Sequence, residues 1–243
     1  MKAVIGIDAG HGGSSSGTYS INTVKDGLFE KDFALEQALL VEKYLIQNGF
    51  GVVMTRRTDE NPGDVSKRAK MLSDSGVDFA LSIHFNGFGT ESANGTEVFV
   101  PHAEKIAKIE SGFSETLGKY FKRRPPFARS NSYYDRNKIF DKKLNSKTGI
   151  FEAVSSEKDY FGFVRTGWEK GVSADLLEIC FLTSPSDFKN YIENRKEIAK
   201  EIAKSIVEAF GEEFVFEETK PEFAKPKITK VLNFGKNRLE TIN

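Results

Sequence analysis

The sequence is poor in cysteine and histidine and has no excess of either charge. Only one of its 243 residues is a cysteine, Cys180, so an internal disulfide bond is excluded. Lysine and arginine together number 35, as do aspartate and glutamate, which gives a formal net charge of zero. A strongly basic nucleic-acid-binding protein is therefore not expected.

Long hydrophobic runs are also missing. No apolar stretch reaches the ~20 residues that a membrane-spanning helix needs. The apolar run that follows Lys2 meets Asp8 after about five residues, which is too short for the core of a signal peptide. We therefore expect no membrane partner and no visible export signal.

Segments typical of strands alternate with segments typical of helices. Strands are predicted over residues 2–7, 52–55, 79–84, 96–100 and 175–180. Helices are predicted over residues 33–47, from a cap at Ser66 to about Gly76, and over residues 102–121 and 186–210. This order predicts an α/β fold with a twisted, mostly parallel sheet and helices on both faces.

Composition suggests one main domain with an appendage. We predict a domain over residues 1–211 and a linker or C-terminal tail over residues 212–243, where glutamate and proline become frequent. Residues 122–162 contain many basic residues and show little periodicity.

Two of the three histidines follow predicted strands. His11 lies in a glycine-rich loop after the first strand, and His84 ends the strand over residues 79–84. Ligands bind at the carboxyl edge of open α/β sheets, and two imidazoles there suggest a zinc site. Taken singly, however, each histidine could equally be an ordinary turn or core residue.

Two glutamates are the acids best placed to complete such a site. Glu30 immediately precedes the predicted helix 33–47 and could be a third ligand, although a helix-capping acid is the plain alternative. Glu178 lies inside the apolar strand over residues 175–180. A buried carboxylate is costly unless it is paired, protonated or near a metal, so Glu178 could also pair with a core cation.

Four blocks of sequence together resemble a known enzyme family. The blocks are Ile-Asp-Ala-Gly-His-Gly-Gly from residue 7, Glu-Lys-Asp-Phe-Ala-Leu from residue 30, Leu-Ser-Ile-His-Phe-Asn from residue 81 and Leu-Glu-Ile-Cys-Phe-Leu-Thr from residue 177. In this order they are similar to the zinc-dependent N-acetylmuramoyl-L-alanine amidases of the amidase-3 type, which cut bacterial peptidoglycan. The resemblance covers about residues 2–211, with Ala9 where the family often has proline.

The resemblance implies a role for each of these residues. His11, Glu30 and His84 would bind Zn²⁺, and Glu178 would be the catalytic acid–base. The bond cut would be the amide between N-acetylmuramic acid and the L-alanine of the stem peptide. Asn86 and Arg165 are predicted substrate contacts, although a turn residue and a surface charge are the alternatives.

Two other functions stay open on the sequence alone. A non-catalytic cell-wall-binding protein could keep the fold without the chemistry, and a zinc carboxypeptidase acting on the stem peptide needs a similar set of ligands. In each case bacterial peptidoglycan is the expected partner, and a monomer is favoured. We expect a phage endolysin or lytic enzyme made in the cytoplasm and acting after release, or an extracellular enzyme if a signal was removed.

Overall fold

The computed structural model describes residues 2–19, 29–101, 108–122 and 161–216 in full, and elsewhere only the backbone of five short strands. The predicted start of the third helix at 102–107 lies outside the described residues. So do most of the segment 122–162 and most of the tail after residue 216.

Ten strands and five helices are described. The strands are β1 Val4–Ala9, β2 Gly51–Met54, β3 Phe79–Asn86, β4 Glu97–Val100, β5 Phe127–Ala128, β6 Lys142–Leu144, β7 Phe151–Ala153, β8 Ala174–Phe181, β9 Lys230–Val231 and β10 Glu240–Thr241. The helices are α1 Glu30–Gln47, α2 Val65–Asp74, α3 Lys108–Leu117, α4 Gly162–Glu169 and α5 Pro185–Ala209. Among these five helices, none is both long and apolar enough to cross a membrane.

A mostly parallel sheet forms the centre of the molecule. Its strand order is β2-β1-β3-β8-β4-β5-β7-β6. The first four strands are mutually parallel, and β4 runs antiparallel to β8. The carboxyl ends of β1, β3 and β8 therefore meet at one edge, which is where ligands bind in folds of this class.

Helices cover both faces of the sheet, as the alternating pattern predicted. Helices α1, α3 and α5 bury apolar side chains such as Phe33, Phe113 and Ile202 against one face. Helices α2 and α4 pack Leu72 and Phe163 against the other face. Because a parallel sheet is stable only when both faces are buried, this layering accounts for the continuous apolar runs in β1, β3 and β8.

Several helix boundaries differ from those predicted. Helix α1 begins at Glu30 rather than near residue 33, and its Asp32 carboxylate accepts a hydrogen bond from the Phe29 N–H. Asp64, not Ser66, caps α2 by accepting the Lys67 N–H at 2.9 Å. Ser184 caps α5, which starts one residue earlier than expected, and α3 ends at Leu117 instead of residue 121.

Residues 212–216 pack against the body of the domain. The Asn48 side chain donates to the Val215 carbonyl at 3.1 Å and accepts the Val215 N–H at 2.7 Å. The Phe216 ring lies 6.0 Å from that of Tyr44, and the Lys200 ammonium lies 4.2 Å from its centroid. The first residues of the predicted tail thus form an ordered strap across α1 and α5.

Candidate metal centre and active site

Three side chains from separate elements meet at the carboxyl edge of the sheet. His11 follows β1, Glu30 is the first residue of α1, and His84 lies near the end of β3. Glu30 Oε1 lies 3.1 Å from His11 Nε2 and 2.9 Å from His84 Nδ1. The three offer one ligand atom each within 4.8 Å of one another, so the group can hold a metal ion.

The Glu30 carboxylate is buried and fixed by backbone donors. Its Oε2 accepts the Thr18 N–H at 2.7 Å, and its Oε1 accepts the Phe85 N–H at 3.0 Å. Burial alone would raise the pKa of Glu30, but the hydrogen bonds and positive charges of His11 and His84 hold that pKa well below its usual range. Glu30 is therefore a fixed anion, which a cation bound between the imidazoles would stabilise.

His84 is held in place as tightly as Glu30. Burial alone would lower the pKa of His84, but the hydrogen bond to Glu30 and the charges of Glu30 and Glu178 raise that pKa to about 9. Its Nε2 is buried and has no hydrogen-bond partner within the part of the chain that the structure describes. A set of two imidazoles and one carboxylate is typical of catalytic zinc sites, and the buried nitrogen without a partner fits such a role.

Two glycines make room for the ligands. A methyl group on Gly10 would lie 2.6 Å from His84 Cε1, and one on Gly17 would lie 2.5 Å from Glu30 Oε2. Gly17 also has a φ of 70°, a conformation that favours glycine. The loop 10–17 can therefore wrap closely around the imidazole and carboxylate groups only because these positions lack side chains.

Two buried arginines hold the loop that carries His11, and the sequence analysis did not single them out. The Arg56 guanidinium donates to the carbonyls of Ala9 and Gly10 at 2.9 and 2.7 Å. Arg68 donates to the His11 carbonyl at 2.8 Å and forms an ion pair with Asp8 at 3.3 Å. The available signals were an acid near the end of an apolar strand, Asp8, and an arginine two residues after the end of β2, Arg56.

The Asp8 carboxylate also accepts hydrogen bonds from two hydroxyl groups. Its Oδ1 accepts the Thr55 hydroxyl and its Oδ2 accepts the Ser82 hydroxyl, both at 2.6 Å. The carboxylate thus links β1 to β2 and β3 immediately before the metal-binding loop begins. A buried charge with this many partners fixes the relative positions of the three strands.

Glu178 is the strand neighbour of His84, in a row of residues that crosses the sheet. It is the register partner of His84 on the neighbouring parallel strand and of Glu97 on the antiparallel strand β4. Neighbouring strands are ~4.8 Å apart, so the His84, Glu178 and Glu97 backbones are adjacent. Glu97 is a buried acid that the sequence analysis treated only as part of a strand.

The two predicted substrate contacts lie in different surroundings. The Asn86 side chain donates to Glu97 Oε2 at 2.6 Å and accepts the Gly87 N–H at 2.8 Å, at the end of β3. Arg165 lies in the first half of α4. One nitrogen of its guanidinium lies 3.7 Å from the position that a Cβ atom on Gly162 would occupy. Asn86 is thus close to the metal-binding group, whereas Arg165 belongs to the helical layer beside α2.

With this geometry in place, comparison with known proteins identifies the family. Residues 5–209 match the profile of Amidase_3, described as N-acetylmuramoyl-L-alanine amidase. The chain belongs to the Amidase_3 family. The match spans all four blocks that carry His11, Glu30, His84 and Glu178.

Individual relatives agree with the family assignment. The chain is 36% identical over 181 residues to "Probable cell wall amidase LytH" of Staphylococcus aureus, covering 74% of this chain and 48% of that protein. It is 31% identical over 122 residues to the "Germination-specific N-acetylmuramoyl-L-alanine amidase" of Bacillus subtilis, covering 43% of this chain and 49% of that protein. The chain covers between 31% and 66% of the length of five curated relatives that it matches.

Solved structures share the fold. The catalytic domain of CwlV from Bacillus (Paenibacillus) polymyxa, an N-acetylmuramoyl-L-alanine amidase, superposes with a TM-score of 0.61 at 27% identity. This match covers 87% of this chain and 99% of that domain. Cwp6 from Clostridium difficile gives a TM-score of 0.66 at 26% identity, covering 86% of this chain and 29% of that one.

Proposed function

We propose that the protein is a zinc-dependent N-acetylmuramoyl-L-alanine amidase that hydrolyses bacterial peptidoglycan. The observation that carries the proposal is the cluster of His11, Glu30 and His84, with Glu178 as the register neighbour of His84, in a chain of this family. The bond cut is the amide between the lactyl group of N-acetylmuramic acid and L-alanine.

Three residues hold the zinc ion in this proposal. His11, Glu30 and His84 each supply one ligand atom, and the Thr18 and Phe85 N–H groups keep the carboxylate in place. A zinc ion held there would supply Lewis-acid chemistry, which activates water at neutral pH and polarises a carbonyl group. Glu30 also offsets part of the charge of the ion, since its carboxylate is anionic.

Glu178 performs the proton transfers. As general base it takes a proton from the attacking water, and as general acid it delivers a proton to the nitrogen of the departing L-alanine. Its position on β8, one strand from His84, supports this role because a rigid central strand holds the carboxylate at the edge where the ligands meet.

The proposal keeps two residues as substrate contacts. Asn86 lies at the carboxyl end of β3, where its amide faces Glu97 and the turn that follows. Arg165 would meet a carboxylate of the stem peptide, since a guanidinium matches that group in a bidentate manner. We also propose that the enzyme acts on the cell wall after release from the cell, as a phage endolysin or other lytic enzyme does.

Product analysis tests the proposed reaction. Purified peptidoglycan is digested with the zinc-loaded protein, with the chelated protein and with the chelated protein after zinc is restored. We expect free stem peptides that begin at L-alanine, lost with the chelator and regained with zinc. Release of a terminal amino acid would instead indicate a carboxypeptidase, and wall binding without cleavage would indicate a binding protein.

A further inference from the structure

Two residues on loops that border the metal-binding group have aromatic side chains that are left open to solvent. Phe88 is 59% exposed and Tyr19 is 55% exposed, and no large hydrophobic side chain in the described ranges is more exposed than Phe88. Within those ranges, neither ring stacks on another ring or on a cation. The partly exposed Phe216 ring, in contrast, contacts the Tyr44 ring and the Lys200 ammonium.

Tyr19 is tied to the metal-binding group through its neighbour. The Thr18 N–H donates to Glu30 Oε2 at 2.7 Å, and the Thr18 carbonyl accepts the Glu30 N–H at 3.0 Å. Consecutive Cα atoms are ~3.8 Å apart, so the Tyr19 Cα lies within that distance of the Thr18 Cα. The Thr18 backbone is in turn hydrogen-bonded to Glu30. Tyr19 therefore follows directly on a backbone segment that holds the Glu30 carboxylate in place.

Phe88 lies on a second loop that borders the same group. It lies four residues after His84, and its N–H donates to the Thr183 hydroxyl at 3.1 Å. Thr183 follows the end of β8, the strand that carries Glu178. Gly87 packs so closely on Thr18 that a methyl group on Gly87 would overlap the threonine side chain. The loops that carry Tyr19 and Phe88 are thus in direct contact.

We propose that Tyr19 and Phe88 form a binding surface for the glycan strand, on which a sugar ring of the substrate stacks. This inference rests on the proposed amidase function, in which the scissile carbonyl is joined to the muramoyl sugar by a single lactyl group. A sugar must then lie close to the metal-binding group, and the loops that carry Tyr19 and Phe88 border that group. We define Tyr19 and Phe88 as the aromatic rim.

The chemistry of the aromatic rim favours a sugar over the stem peptide. A pyranose ring presents a face of C–H groups that packs on an aromatic ring, while its hydroxyl groups stay in water. The stem peptide ends in carboxylates, which call for a cation, and neither Phe88 nor Tyr19 supplies one. The rim therefore fits the uncharged part of the substrate.

Steady-state kinetics on two soluble substrates test the proposal. One is a disaccharide carrying the stem peptide, and the other is the same peptide joined to lactate without the sugars. For Tyr19→Ala and Phe88→Ala we expect KM to rise about tenfold on the first substrate, with kcat within twofold of wild type. On the lactyl peptide we expect both variants to match the wild type.

Conservative and distant substitutions provide the controls. Tyr19→Phe and Phe88→Tyr keep the ring and should restore KM. Trp168 lies in the last turn of α4, at the opposite edge of the sheet where β8 begins, and its side chain is 39% exposed. Trp168→Ala should therefore leave both KM and kcat unchanged. Melting temperatures and zinc content confirm that the variants remain folded and loaded.

The outcomes separate this proposal from the proposed function. If the wild type cleaves both substrates but the Phe88→Ala and Tyr19→Ala variants are unchanged, the aromatic rim does not bind the sugar. An equal rise in KM on the lactyl peptide would also overturn the proposal, because it places the peptide on the rings. A wild type that cleaves neither substrate would instead refute the amidase function.

Discussion

Replacing Gly10 by alanine should displace the imidazole of His84, a proposed metal ligand, without unfolding the protein. The added methyl group would lie 2.6–2.8 Å from three atoms of the His84 ring, whereas ordinary contacts begin at 3.4 Å. The loop cannot retreat easily, because the Gly10 N–H donates to Ile83 at 3.0 Å and its carbonyl accepts from Arg56. His84 must therefore move by about 1 Å to reach normal van der Waals distance.

A shift of this size is large for a metal ligand. Zinc–ligand distances tolerate about 0.2 Å, and even indirect disturbance of a ligand costs about 10- to 100-fold in affinity. We expect Gly10→Ala to weaken zinc binding at least about 100-fold. Overpacking costs about 1–3 kcal/mol, so the melting temperature of the metal-free protein should fall by only about 2–12 °C.

Competition against a chromophoric zinc chelator measures the affinity, and thermal unfolding measures the stability. Gly89→Ala is the matched control, because Gly89 follows the same strand and a methyl group there meets nothing within 4 Å. That control should bind zinc like the wild type. Wild-type zinc affinity in Gly10→Ala would show that the contact between loop and imidazole does not position the ligand.

Three further predictions concern catalysis, the loop and the strap. Glu178→Gln should lower kcat at least about 100-fold and leave zinc content unchanged, since it removes only proton transfer; activity assays with metal analysis check this. Arg56→Lys loses a guanidinium that donates to four backbone carbonyls, two of them in fully buried hydrogen bonds, and should lower the free energy of unfolding in urea by about 2–4 kcal/mol. Arg57→Lys, at an exposed neighbouring residue, should leave the free energy of unfolding unchanged. Asn48→Ala removes both hydrogen bonds to Val215 and should lower the free energy of unfolding by about 1–2 kcal/mol, as measured by thermal unfolding. The turnover rate of this variant should equal that of the wild type.

The sequence predicts the layers of the fold because they depend on local patterns. Apolar runs of strand length and helical periods each extend over several residues, so errors at single positions average out. The clustering of His11 and His84 follows from the same logic, since residues after parallel strands meet at one edge. Helix caps are less predictable, because Asp64 and Ser66 are both good capping residues and only the chain path decides between them.

The supporting residues around the site could not be predicted in the same way. Arg68 contacts Asp8 and the His11 carbonyl across 60 and 57 residues of sequence, and no local pattern distinguishes it from the other basic residues of α2. Glu97 becomes the neighbour of Glu178 only because β4 pairs antiparallel with β8. Such contacts depend on the order of strands in the sheet, which residue spacing does not specify.

The backbone of His11 explains why so many buried polar groups surround it. With a φ of 59°, His11 has the only positive φ among the described residues other than glycine, and such a conformation costs about 1–3 kcal/mol. That conformation persists because the bond from Arg68 to the His11 carbonyl and the bonds from Arg56 to Ala9 and Gly10 fix the chain on both sides. The two arginines therefore act on the metal-binding group through the backbone, by keeping one imidazole in a position that the free loop would leave.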